Sequence, residues 1–120
     1  MTVPDLADRL GLETPQVRRL LDDRRLIAVR RDGVRVVPGA FLVPGHLADP
    51  ASARDPASSP AWAVLASLAG TITVLGDAGL SDDETVDWLF TIDDQLGCAP
   101  IEALRAGRKV EVRRRAALEL

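Results

Sequence analysis

Asp32-Gly33 stands between two short runs of β-forming residues, Leu26-Ile27-Ala28-Val29-Arg30-Arg31 and Val34-Arg35-Val36-Val37. A two-residue type I′ turn needs positive φ at both central positions, which Asp-Gly supplies readily. The spacing therefore predicts a β-hairpin, and a two-residue turn leaves one register. Arg31 faces Val34, Arg30 faces Arg35 and Val29 faces Val36. Like charges directly opposite each other cost stability. Two facing arginines on a short exposed ribbon make structural sense where something anionic lies over them.

Two helices are expected before the hairpin. Thr2 can cap a first helix whose apolar positions Val3, Leu6, Ala7 and Leu10 share one face. Asp5 sits near its positive start, and Gly11 ends it. Thr14-Pro15 reads as an N-cap followed by proline at the first helical position. The helix it starts buries Val17, Leu20 and Leu21, while Gln16, Arg18, Arg19, Asp22 and Asp23 point elsewhere. The plain alternative for Arg18 and Arg19 is a solvated face, with Asp22 pairing at i+4. Arg24 and Arg25 suit a helix C-terminus without any ligand.

Charge is uneven along the 120 residues. Residues 1–47 carry eight arginines against six acids, net +2, and the remainder carries seven bases against twelve acids, net −5. Asp77 to Glu102 holds eight acids and no base, whereas Arg105 to Arg115 has six bases and one acid. Such asymmetry suggests different partners for the two parts. Between them, Leu47 to Ser59 is Ala, Pro, Ser and Asp with little to bury, which reads as an extended tether. The division expected is a domain at 1–47, a linker at 48–58 and an all-helical domain at 59–120.

In the second part, Ser59-Pro60 is expected to start a helix that buries Trp62, Leu65, Ala69 and Ile72 and stops around Gly76 to Gly79. Ser81-Asp82-Asp83-Glu84 is a capping box for a helix carrying Val86, Leu89 and Phe90, with Trp88 beside them. Thr91 to Ala99 is a loop. Pro100 opens a short helix with Ile101 and Leu104, ended by Gly107, and a last helix runs from about Arg108 to Leu118. The fold class is mainly α with a small β-hairpin. Trp62, Trp88, Phe90 and Ile101 are candidates for the second core.

Two helices, a tight turn and a hairpin are the order of a winged helix-turn-helix. Val3-Pro4-Asp5-Leu6-Ala7-Asp8-Arg9-Leu10-Gly11-Leu12, Pro15-Gln16-Val17-Arg18-Arg19-Leu20-Leu21, Arg25-Leu26-Ile27 and Val29 to Pro38 resemble the excisionase and MerR-type winged helices. Asp22 and Asp23 depart from what a phosphate-facing helix should carry. The whole chain also resembles a small actinobacterial family of DNA-binding regulators with a helical C-terminal domain. Asp77 to Glu84, Trp88-Leu89-Phe90, Pro100 to Lys109 and Val112 to Ala116 carry that likeness. More distantly, Trp88-Leu89, Leu96-Gly97, Pro100-Ile101, Leu104, Gly107 and Val112 are similar to the toxin-binding domain of Xre/MbcA/ParS-type antitoxins, with Cys98 in place of a usual glycine.

These resemblances imply double-stranded DNA as partner and a role as a transcriptional regulator. The second helix would lie in the major groove and the wing on the backbone. The residues expected at DNA are Thr14, Gln16, Arg18, Arg19, Arg30, Arg31 and Arg35. The alternative is an antitoxin-like or dimerising protein-interaction module. On either reading the acidic C-terminal part is expected to bind protein or a second copy, and not a duplex.

Other classes find little support. One Cys98 and one His46 supply neither a disulfide nor a four-ligand zinc site. No run approaches the ~20 apolar residues of a membrane span, and no secretory leader is visible, so a cytoplasmic protein is expected. Gly76-Asp77-Ala78-Gly79 follows a helix and not a strand, which argues against a phosphate loop. No triad forms around a single histidine between prolines and glycine. No cofactor and no catalytic role are expected.

Overall fold

A computed structural model describes residues 1–48 and 55–120 of the chain. Helix α1 spans Val3–Leu10. The Asp5 N–H donates to the Thr2 hydroxyl at 3.3 Å, and Gly11 ends the helix at φ +68°. Helix α2, Thr14–Asp22, starts one residue earlier than expected. Its cap is Glu13 and not Thr14, because Glu13 and Gln16 form a capping box, with the Glu13 N–H donating to Gln16 Oε1 at 2.8 Å. A reciprocal pair satisfies two orphan donors where a lone Thr14 cap would satisfy one. Thr14 thus becomes the first helical residue.

Strands β1 (Val29–Arg31) and β2 (Val34–Val36) pair antiparallel in the expected register, Arg30 opposite Arg35. Asp32 at φ +54° and Gly33 at φ +78° make the turn. The segment before α1 lies along β2: Thr2 bridges Val36, and the Val37 N–H donates to the Met1 carbonyl at 2.7 Å. Leu6, Ala7, Val17, Leu21, Leu26, Ile27, Val37 and Phe41 are buried between these elements.

The helix expected from Ser59-Pro60 does not begin there. Trp62–Val64 is strand β4, antiparallel to β3 (Leu42–Pro44), with Leu42 opposite Val64 and Pro44 opposite Trp62. Helix α3 starts only at Leu68 and ends at Asp77. Leu42 and Val43 are buried on a strand whose ladder needs a partner. Trp62 to Val64 supplies it, and that long-range pairing overrides the local helix-start signal. Arg105 ties the same ribbon down, donating through Nη1 to the carbonyls of Ala40 and Leu42, both at 2.8 Å. Trp62 is therefore no part of a helical core. Its ring lies 5.2 Å from the Arg9 guanidinium, a cation–π contact. Of the expected linker, residues 49–54 lie outside the described residues, and Pro56–Ser58 form a single 3-10 turn.

Helix α4 (Asp82–Phe90) begins with the expected capping box: the Ser81 N–H donates to Glu84 Oε1 at 3.0 Å, and the Glu84 N–H to Ser81 Oγ at 3.2 Å. Helices α5 (Pro100–Arg105) and α6 (Lys109–Ala117) follow, with Gly107 at φ +86° between them. Leu68, Ile72, Leu75, Leu89, Ile101, Leu104 and Val112 are buried. Phe90 departs from expectation. It is 42% exposed and rests one side on Phe41, ring centroids 5.8 Å apart. The molecule is mainly helical with two small strand pairs, a winged helix joined to a helical C-terminal part.

Candidate nucleic-acid interface

Val17 and Leu21 anchor α2 to the core. At about 100° per residue, that places Pro15, Arg19 and Asp22 on the far side and Arg18 on the flank, all four of them exposed. Thr14 is half-buried in the first turn, and Gln16 is exposed with its Oε1 engaged by the cap and its NH₂ still a donor. Arg30, Arg31 and Arg35 are exposed on the hairpin, with Arg30 and Arg35 brought face to face. Arg31 Nη1 reaches back to the Arg30 carbonyl at 3.4 Å. The i+4 pair between Arg18 and Asp22 is not made.

Other cations are engaged. Arg24 pairs with Asp82 at 2.7 Å, Arg108 with Glu111 at 2.7 Å and Arg115 with Asp93 at 2.9 Å. Arg24 achieves this from φ +60° in a Schellman turn, its N–H donating to the Leu21 carbonyl and that of Arg25 to Leu20. None of Arg18, Arg19, Arg30, Arg31 and Arg35 forms an ion pair among the described residues. Five of the first part's seven arginines without an ion pair among the described residues therefore sit on α2 and the wing, the others being Arg9, which stacks on Trp62, and Arg25.

This arrangement has a relative. The DNA-binding protein Rv2175c of Mycobacterium tuberculosis (strain ATCC 25618 / H37Rv) is 32% identical over 126 residues, spanning 95% of this chain and 75% of its own length. The chain belongs to the Rv2175c family. Residues 1–42 match the family described as "DNA-binding protein Rv2175c, wHTH domain", and residues 65–118 match the "Rv2175c C-terminal domain of unknown function". The NMR structure of Rv2175c shares the fold, with a TM-score of 0.76 at 31% identity, covering 98% of this chain and 77% of that one.

The C-terminal part of this Rv2175c-family chain is built around acids. A groove of about 720 Å³ is lined by Glu84, Asp87, Trp88, Ile92, Asp94 and Glu119 among others, and Ile92 is 72% exposed. The Arg115 hydrogen bond holds the Asp93 carboxyl below the usual range, against the opposing pull of partial burial. Arg108 does the same for Glu111, and the Ser81 cap for Glu84. These groups remain ionised at neutral pH. Sequence reading missed Arg108 as a neighbour of Cys98, 3.7 Å from Sγ. The two are ten residues apart in the chain, and only the fold joins them. Among the described residues no cluster of His, Cys, Asp and Glu could hold a metal ion, and no helix is long and apolar enough to cross a membrane.

Proposed function

We propose that the chain is a cytoplasmic, non-enzymatic double-stranded DNA-binding protein acting as a transcriptional regulator. Helix α2 enters the major groove and the β1–β2 wing lies on the backbone. The observation that carries this reading is the pairing of Arg30 with Arg35 in register, with Arg31 alongside and, among the described residues, no carboxylate paired to any of them. A like-charged ribbon of this kind is stabilised by phosphate laid across it. The name of the M. tuberculosis relative supports the same reading. Thr14, Gln16, Arg18 and Arg19 supply the donors for base edges. Asp22 repels phosphate, so the N-terminal half of α2 goes deepest.

The test is a salt titration of duplex binding by fluorescence anisotropy. Five arginines on phosphate or base give log affinity against log salt a slope of about −4.5. A slope near zero refutes the assignment. Arg18→Ala or Arg19→Ala should change preference among sites, since a bidentate base contact discriminates by ~1–3 kcal/mol.

One observation favours a second role, a protein-interaction site of the antitoxin-like kind: the carboxylate groove with Ile92 exposed in it. Its chemistry suits a segment with Lys or Arg flanking an apolar anchor. A two-fold dimer through this same face would set carboxylate against carboxylate, which disfavours a second copy there. Selection of peptides from a random display library on the full chain should enrich that pattern. Enrichment that persists unchanged in Ile92→Ala would exclude the groove.

A further inference from the structure

The capping box that starts α2 also decides how Gln16 presents its amide. The Glu13 N–H donates to Gln16 Oε1 at 2.8 Å. Only the carbonyl half of an amide can accept from an N–H, so this bond commits the oxygen to the cap and leaves the NH₂ for other partners. Gln16 is exposed, and Arg19, three residues on, is its neighbour on the helix surface. Arg19 has no ion-pair partner among the described residues. The two side chains together present an amide NH₂ and a guanidinium, both donors.

The base edge that suits such an amide follows from the pattern of donors and acceptors in the major groove. An unconstrained glutamine reads adenine with both halves of its amide, the nitrogen donating to N7 and the oxygen accepting from N6. That pairing needs oxygen and nitrogen turned to the same base edge. In this chain, turning the oxygen toward a base takes it off the cap and leaves the Glu13 N–H without its partner. The half that stays free can only donate. Adenine sets its N6 donor beside N7, and cytosine shows an N4 donor. Guanine shows two adjacent acceptors, O6 and N7, and no donor.

We propose that Gln16 reads guanine through its NH₂ and selects against adenine because Glu13 holds its carbonyl at the cap. This rests on the DNA-binding reading above and names the base that one of its residues recognises. Glu13 is a positioning residue, setting base preference through Gln16.

The experiment selects duplexes bound by the full chain from a library with a randomised core of about 20 bp, two helical turns. One position of the enriched site should be guanine for the parent and lose that preference in Gln16→Glu. Glutamate at the third helical position closes the same box, so Tm should not fall. Its carboxylate only accepts, which turns the preference there toward cytosine N4. Exchanging that G·C pair for A·T should weaken parental binding about 10-fold by anisotropy. Proline lacks the N–H, and Glu13 at φ −83° lies close to the range of its ring, so Glu13→Pro frees the Gln16 carbonyl. In that variant the difference should shrink to about 2-fold. Adenine enriched at the position that changes in Gln16→Glu, guanine kept there in Gln16→Glu, or no preferred position at all overturns this proposal and leaves DNA binding standing. A full 10-fold difference in Glu13→Pro, at about the parental Tm, overturns the role of the cap. Failure of the parent to retain any duplex overturns the DNA-binding reading itself.

Discussion

Replacing Arg30 and Arg35 together by glutamine should move folding and DNA binding in opposite directions. The two residues are direct cross-strand partners, so their charges oppose each other in the unliganded protein. Removing both relieves a repulsion of about 0.2–1 kcal/mol, and glutamine keeps most of the side-chain length. Tm should rise by about 1–4 °C, most at low salt. Binding should suffer. Two lost phosphate contacts make the salt slope shallower by about 1.8, which is about 60-fold in affinity at about 0.1 M salt and only about 3-fold at about 0.5 M. Differential scanning fluorimetry and anisotropy on the same preparation read both quantities. An unchanged affinity, or a loss of equal size at both salt concentrations, would refute the reasoning. A variant that binds worse because it is partly unfolded would show a lower Tm, so the two readouts together separate the causes.

Three further outcomes follow from the packing. Ser81→Ala removes the hydroxyl that receives the Glu84 N–H and should cost about 1 kcal/mol in urea denaturation. Asp93 has its folded pKa depressed by Arg115, so its contribution is present above the unfolded value of about 3.9 and is lost as pH falls through the folded value. Asp93→Asn should therefore flatten the acid limb of a Tm-against-pH curve below about pH 4 while leaving its shape near neutrality alone. Gly45→Ala places a Cβ 2.8 Å from the Pro60 carbonyl carbon, a backbone atom that cannot swing aside, and should cost about 1–3 kcal/mol, with amide exchange accelerated first in β3 and β4.

What could be read from the sequence were the features decided within a few residues. The wing register follows from Asp32-Gly33 because turn length and positive φ act locally, and the Ser81–Glu84 capping box is written three residues apart. Glu13 and Gln16 carry the same spacing, and the familiar Thr-Pro signal beside them hid it. Strand β4 was illegible because its cause lies twenty residues away, in the unpaired ladder of Leu42–Pro44. Trp62 suits a helix face equally well until that partner is known. In the candidate site, the wing and α2 arginines could be named from pattern alone. The approach of Arg108 to Cys98 could not, since nothing local says that the start of α6 folds back on the loop before α5.

The arginine-bearing wing and the carboxylate-lined groove are unlike patches of one surface, and the formal charge of −3 describes neither. Bulk behaviour set by net charge and behaviour set by a local patch should then part company. At neutral pH the protein should be retained on an anion exchanger through its carboxylate groove. It should also be retained on immobilised heparin, which is itself a polyanion, through the arginines of α2 and the wing. Near a charged rod such as a duplex, the same separation turns the molecule before contact. The field sorts orientations during approach, so a larger share of collisions arrives wing first than random tumbling would give.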